Sequence, residues 1–158
     1  MKKMFLSAFV ILLAITASSQ SMGYSYKTAL GVKVWDGGGI SIKHFIKPTA
    51  ALEGILYFWD KNTRITGLYE YHGDITGAQG LKWYIGGGGH LGFYHYHNDP
   101  YYDDNNKVFF GLDGVLGLDY KFNKAPINIS LDWQPSFEFG ANRGFVGSWG
   151  GLGVRYAW

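Results

Sequence analysis

The chain has 158 residues, with 14 Lys and Arg against 12 Asp and Glu, 24 glycines, no cysteine, and aromatic residues at 18% against charged residues at 16%. The lack of cysteine excludes a disulfide framework, and the lack of a basic run excludes a nucleic-acid partner, whose phosphates need clustered Lys and Arg. An ordinary soluble domain is about a quarter charged, so this composition is short of charge for a wetted surface.

The first element is MKKMFLSAFVILLAITASSQ. Lys2 and Lys3 form a charged start, Met4 to Ile15 an apolar run, and Ala17-Ser18-Ser19 a small-residue cleavage site, which is the pattern of a secretory signal peptide over residues 1–19. A dozen or so apolar residues are too few to span a bilayer, where about 20 are needed, so the segment is expected to be removed. Loss of Lys2 and Lys3 leaves a formally neutral chain starting at Gln20. No cysteine follows the run to carry a lipid anchor, and no later segment has the length of a transmembrane helix. A membrane form of this chain would therefore be a barrel.

Period-2 runs between turn signals then predict eight strands: residues 24–35, 39–47, 51–59, 64–73, 81–97, 107–122, 127–140 and 146–158. The connections carry turn residues, such as Asp36-Gly37-Gly38 and Ala141-Asn142-Arg143-Gly144. Each run suffices to cross a bilayer at barrel tilt, for which about 9–11 residues are enough. The count is even, as bacterial single-chain barrels require. The domain reading is a single all-β unit over residues 20–158, an eight-stranded antiparallel up-and-down barrel.

Parity separates the faces. In strand six Phe110, Leu112, Leu116, Leu118, Tyr120 and Phe122 share one face, with Gly111, Asp113, Gly117, Asp119 and Lys121 opposite. In strand seven Ile127, Ile129, Leu131, Trp133, Pro135, Phe137 and Phe139 oppose Asn128, Ser130, Asp132, Gln134, Ser136 and Glu138. The last strand sets Val146, Ser148, Leu152, Val154, Tyr156 and Trp158 against Trp149, Gly151, Gly153, Arg155 and Ala157. In strand five Lys82, Tyr84, Gly86, Gly88 and His90 alternate small with large, which suits a narrow interior. Strands three and four alternate less cleanly. A membrane barrel gives the apolar row to lipid and turns the polar row inward; a soluble lipocalin-like barrel does the reverse.

Aromatic residues gather near strand ends. Tyr26, Tyr69, Tyr71, Trp83, Tyr120, Phe122, Tyr156 and Trp158 fall toward one rim, and Phe58, Phe93, Phe110, Phe137 and Phe139 toward the other. Two girdles about a leucine and valine band are the lipid face of a membrane barrel. With the signal peptide, eight amphipathic strands and a closing strand VGSWGGLGVRYAW that ends on an aromatic, the chain resembles the small outer-membrane barrels of Gram-negative bacteria, of the outer membrane protein A or X type. The resemblance covers residues 20–158. It implies residence in the outer membrane, contact with lipid and lipopolysaccharide, and recognition of the C-terminal strand by the barrel-assembly machinery. It also places Pro135 close to the outer rim, where a bulge tolerates its missing N–H.

Parity places inside the barrel six bases, Lys33, Lys43, Arg64, Lys82, Lys121 and Arg155, and six acids, Glu53, Glu70, Asp113, Asp119, Asp132 and Glu138. Equal numbers of opposite sign point to a paired structural network rather than a proton or ion path, since unpaired buried charges are costly. An eight-stranded barrel has room for side chains and little more, which argues against an open porin.

The other concentration of chemistry is HYHNDPYYDDNN, residues 95–106, in the longest outer loop. His95, His97, Asp99, Asp103 and Asp104 could hold a divalent metal, but their spacing matches no Ca²⁺ or Zn²⁺ motif, and no metal or cofactor is predicted. Tyr101 and Tyr102, with the same histidines and aspartates, are candidates for contact with a surface partner or glycan. A lipid A deacylase or acyltransferase would need a histidine, a serine and an acid facing the outer leaflet, roles for which Ser136, His95 or His97, and Glu138 are available. The deacylase pattern of histidine with serine two residues later is absent, because Tyr96 and His97 follow His95. The sequence reading is a non-enzymatic barrel with a structural or surface-interaction role.

Overall fold

The computed structural model describes residues 26–59, 62–94, 107–140 and 144–158. Its strands are β1 (Thr28–Val34), β2 (Gly38–Lys47), β3 (Ala50–Trp59), β4 (Asn62–Asp74), β5 (Leu81–Tyr94), β6 (Lys107–Lys121), β7 (Ile127–Trp133), β8 (Ser136–Gly140), β9 (Gly144–Val146) and β10 (Gly150–Ala157). They form eight staves, because β7 with β8, and β9 with β10, are single staves with a local interruption. Every pairing is antiparallel between chain neighbours, and β1 closes the ring on β10. The protein is thus the all-β, closed, up-and-down barrel that the alternation predicts. Closure pairs every described strand on both sides except the short β9, which is bonded to β8 alone.

The start of β1 and the end of β10 lie side by side at one end of the barrel, the near end. There the backbone N–H groups of Lys27 and Thr28 both donate to the Trp158 carbonyl, each at 3.0 Å. Two donors on one carbonyl mark a bulge, which stands at the start of β1 and turns the preceding residue round. Tyr26 accordingly leaves the girdle predicted for it. It is 7% exposed and donates its hydroxyl to Asp119 Oδ2 at 2.8 Å. The connection between β4 and β5, also at this end, turns on Gly77 and Gly80, whose φ angles of 86° and 81° favour glycine.

Elsewhere the alternation sorts the two faces. Leu116 and Leu131 are each 52% exposed, whereas Asp113 and Asp132 are each 5% exposed. The faces are those of a barrel whose surroundings are apolar; the inverted, lipocalin-like arrangement is not the one observed. Of the lipid-facing positions predicted, Trp83, Leu118, Trp133, Tyr156 and Trp158 are likewise exposed, and Tyr120 and Val154 are half-buried on the outer wall.

Pro135 corrects another expectation. Leu116 faces Trp133 and Asp113 faces Ser136, so the register between β6 and this stave continues across the proline with no extra residue. The bulge lies in the next stave, where three residues between Val146 and Gly150 oppose two between Trp133 and Ser136. An extra residue reverses parity. Val146, expected on the outer face with Val154, therefore lies opposite the inward Ser136.

Glycines make the interior roomy enough for long side chains. A Cβ on Gly117 would run into the Tyr84 ring and Asp132, one on Gly92 into the Phe109 ring, and one on Gly151 into the Lys33 stem. On the outer wall the opposite holds: Gly54, Gly67 and Gly89 lie side by side on β3, β4 and β5, and a Cβ on Gly67 would meet nothing within 4 Å.

Candidate functional site: the interior polar network

The inward positions of all eight staves converge on the barrel axis, where they form two polar clusters. In the cluster toward the near end Arg155, from β10, is the hub. Its Nε donates to Ser41 Oγ at 2.7 Å and its Nη1 to Ser130 Oγ at 2.7 Å and Asn128 Oδ1 at 3.2 Å, while Nη2 pairs with Glu53. Glu53 also accepts the Ser41 hydroxyl at 2.6 Å and has Lys33 and Lys43 at 3.7 and 3.5 Å. Those two lysines reach further carboxylates, Lys33 to Asp132 and Lys43 to Glu70, both at 2.7 Å.

Aromatic rings brace this cluster. Tyr84 donates its hydroxyl to Asp132 at 2.6 Å, carries the Lys43 ammonium 4.1 Å above its ring, and stacks on His72 at 4.9 Å. His72 in turn bonds Glu70 at 2.9 Å. Asp119 receives Asn128 Nδ2 at 2.5 Å beside the Tyr26 hydroxyl. Burial and the adjacent Asp119 carboxylate push the phenol of Tyr26, which lies outside the strands, well above the ordinary tyrosine range.

The second cluster lies toward the far end. Arg64, from β4, pairs with Asp113, and His90 Nδ1 lies 3.0 Å from Arg64 Nη2 and 2.8 Å from Asp113 Oδ2. Glu138 approaches both Arg64 and His90 at 4.0 Å. Arg64 also stacks 4.5 Å over the Trp149 ring, which shares the inward parity of Gly151 and Arg155. Ile55, Leu68 and Val115 pack together with Tyr57 and Tyr84 between the clusters; along their strands Ile55 follows Glu53, Leu68 precedes Glu70, and Val115 follows Asp113.

Of the nine interior residues singled out from the sequence, Lys33, Lys43, Asp113, Asp119, Asp132, Glu138 and Arg155 are at most 5% exposed and belong to these clusters. Lys82 and Lys121 do not. They are the last inward positions at the near rim, where Lys82 pairs with the exposed Asp74 at 2.6 Å and Lys121 donates to the carbonyls of Phe122 and Ala125 at 2.7 and 2.8 Å. Without them the buried set among the described residues holds four bases and six acids, not six and six. Two buried histidines, His72 and His90, stand against Glu70 and Asp113. The sequence reading missed His72, Tyr26 and Ser41 as members; His72 shares the even parity of Arg64 and Glu70 in β4, which was the available signal.

Cavities open at both mouths. One of about 260 Å³ at the near end is bordered by Tyr26, Phe45, Asp119 and Lys121, and one of about 510 Å³ lies at the far end. An interior cleft beside Lys33, Tyr57, Arg64 and Trp149 is about 10 Å³, too small for more than a single water.

Ser136 and Glu138 are 2% and 5% exposed and point inward, so neither faces the outer leaflet as a lipid-modifying enzyme would need. His95, His97, Asp99, Tyr101, Tyr102, Asp103 and Asp104 lie outside the described residues, as does the segment 1–19.

No known family matches the chain by sequence, and no curated protein does. Among solved structures it is similar to the crystal structure of the N-terminal β-barrel domain of Pseudomonas aeruginosa OprF, with a TM-score of 0.63, 18% identity, and cover of 87% of this chain and 100% of that one. At that identity the likeness is one of fold.

Proposed function

We propose that the chain is an integral outer-membrane β-barrel protein of a Gram-negative bacterium, exported by a cleaved signal peptide, with a filled polar interior and a structural or surface-interaction role rather than catalysis. The observation that carries this reading is the division of faces. Charges are buried around the axis while, among the described residues, 28 large hydrophobic ones, Leu116, Leu131, Trp133 and Tyr156 included, are exposed. In water such a wall far exceeds the few hundred Å² of contiguous apolar surface that monomers tolerate. In a bilayer it meets its own kind. The fold shared with the OprF barrel domain supports the same reading.

In this role lipid and lipopolysaccharide surround the wall, and the aromatic end of β10 is offered to the barrel-assembly machinery. The interior cleft of about 10 Å³ favours a closed structural barrel over a conducting one. The test is gel mobility of the detergent-solubilised mature protein in SDS, with and without boiling. A folded barrel runs at a different position until heated. Equal mobility, together with solubility in plain buffer, refutes the membrane reading.

A further inference from the structure

The far mouth carries a feature that the proposed role leaves unused. Its cavity of about 510 Å³ is lined, among the described residues, by Trp35, Asp36, Trp59, Ser148 and Trp149. Small-molecule sites have volumes of roughly 300–1,000 Å³, so the space is of ligand size. The three indoles are held in place by the protein itself. Trp59 and Trp149 meet edge to face with centroids 5.1 Å apart, Trp149 meets Tyr57 likewise at 5.6 Å, and the Trp35 N–H is tied to the Ser148 carbonyl at 2.8 Å. A platform fixed before binding loses little freedom when a ligand arrives.

The lining selects among ligand classes. An acyl chain would cover Asp36 and Ser148 without satisfying them, which costs free energy. An anion would face the Asp36 carboxylate, which forms no ion pair with any described residue. A quaternary ammonium would share Trp149 with the Arg64 guanidinium already 4.5 Å from its ring. A neutral polyol meets none of these obstacles, because a pyranose ring presents one face of C–H bonds to an indole and hydroxyls that donate to a carboxylate. We propose that the far mouth binds a pyranose unit, with its C–H face on a tryptophan and its hydroxyls on Asp36. The sugar would come from a free oligosaccharide or from the glycan of a membrane glycolipid. This inference goes beyond the structural role and rests only on the folded barrel.

The test uses the mature protein folded in a zwitterionic detergent, since alkyl glucosides would themselves present the ligand. Free tetrasaccharides of β-linked glucose, galactose and N-acetylglucosamine form one arm, followed by saturation-transfer NMR; vesicles with and without lipopolysaccharide form the other, followed by tryptophan fluorescence. Binding of a free sugar assigns a soluble glycan, and a response to lipopolysaccharide vesicles alone assigns a membrane glycolipid. In either case Trp35→Ala should weaken binding about tenfold, near 1.4 kcal/mol. Asp36→Asn, at an exposed position with no ion pair among the described residues, should weaken it several-fold with the heat-dependent SDS mobility unchanged. The proposal is overturned if neither arm responds, if tetramethylammonium binds and sugars do not, or if binding survives both substitutions. A lost mobility shift in the unsubstituted protein would instead strike at the barrel reading.

Discussion

The indole N–H of Trp133 donates to the backbone carbonyl of Gly147 at 2.7 Å. From the other side of the same stave Trp35 donates to Ser148, so two tryptophans on flanking staves satisfy the carbonyls that the bulge between Val146 and Gly150 takes out of the ladder. A bulge of one residue leaves such groups without strand partners, and in an apolar wall they would be costly to abandon. Trp149, at the β10 end of the bulge, keeps the inward parity of Arg155 and lies over Arg64. Trp133→Phe keeps the ring and removes the donor. We expect a loss of about 1 kcal/mol in unfolding free energy, the ordinary net worth of one hydrogen bond, measured by urea titration in lipid vesicles.

The pair formed by Arg155 and Glu53 is heavily bonded, with Ser41, Ser130 and Asn128 on the same guanidinium. Breaking one side of such a pair strands the other charge. Arg155→Met is predicted to cost about 3–5 kcal/mol, and Arg155→Met with Glu53→Gln less than that, because Lys33 and Lys43, at 3.7 and 3.5 Å, only partly offset the carboxylate that the single change leaves behind. Equal losses in the single and double variants would show that Arg155 acts by packing alone.

Gly67 and Gly88 are close neighbours with opposite surroundings. A Cβ on Gly88 would meet the backbone of Gly67 and Leu68, whereas one on Gly67 would meet nothing within 4 Å. Gly88→Ala should destabilise the barrel by about 1–3 kcal/mol through overpacking. Gly67→Ala should be neutral or stabilising by up to about 1 kcal/mol, since it restricts only the unfolded chain. Thermal unfolding of the two variants side by side checks the assignment of inner and outer wall.

Leu131 is exposed on the outer wall and Asp132, next to it, is 5% exposed inside. If lipid covers that wall, Leu131→Arg should cost about 2–4 kcal/mol in vesicles, the penalty for arginine near the bilayer midplane. In a water-soluble barrel the same change would be close to harmless. Refolding yield into vesicles, read as the fraction with heat-dependent SDS mobility, separates these outcomes.

The alternation INISLDW in β7, and its counterparts in the other runs, was enough to place Leu131 outside and Asp132 inside, because side-chain direction in a strand has a period of two residues whatever the partner strand. Strand number, faces and the inward set Lys33, Lys43, Asp113, Asp119, Asp132, Glu138 and Arg155 are all legible in that local pattern. What the tertiary structure decided is everything that depends on register. The bulge that reverses Val146 sits opposite the proline rather than at it, because ladder pairing to β6 runs on unbroken. Tyr26 turns inward because two N–H groups share the Trp158 carbonyl where the ring closes. Lys82 and Lys121 obey the inward parity yet stay at the rim, since parity gives direction and not height. Which acid meets which base, Arg155 with Glu53 across 102 residues or Lys33 with Asp132, follows from closure of eight staves around one axis, a long-range constraint that no local period carries.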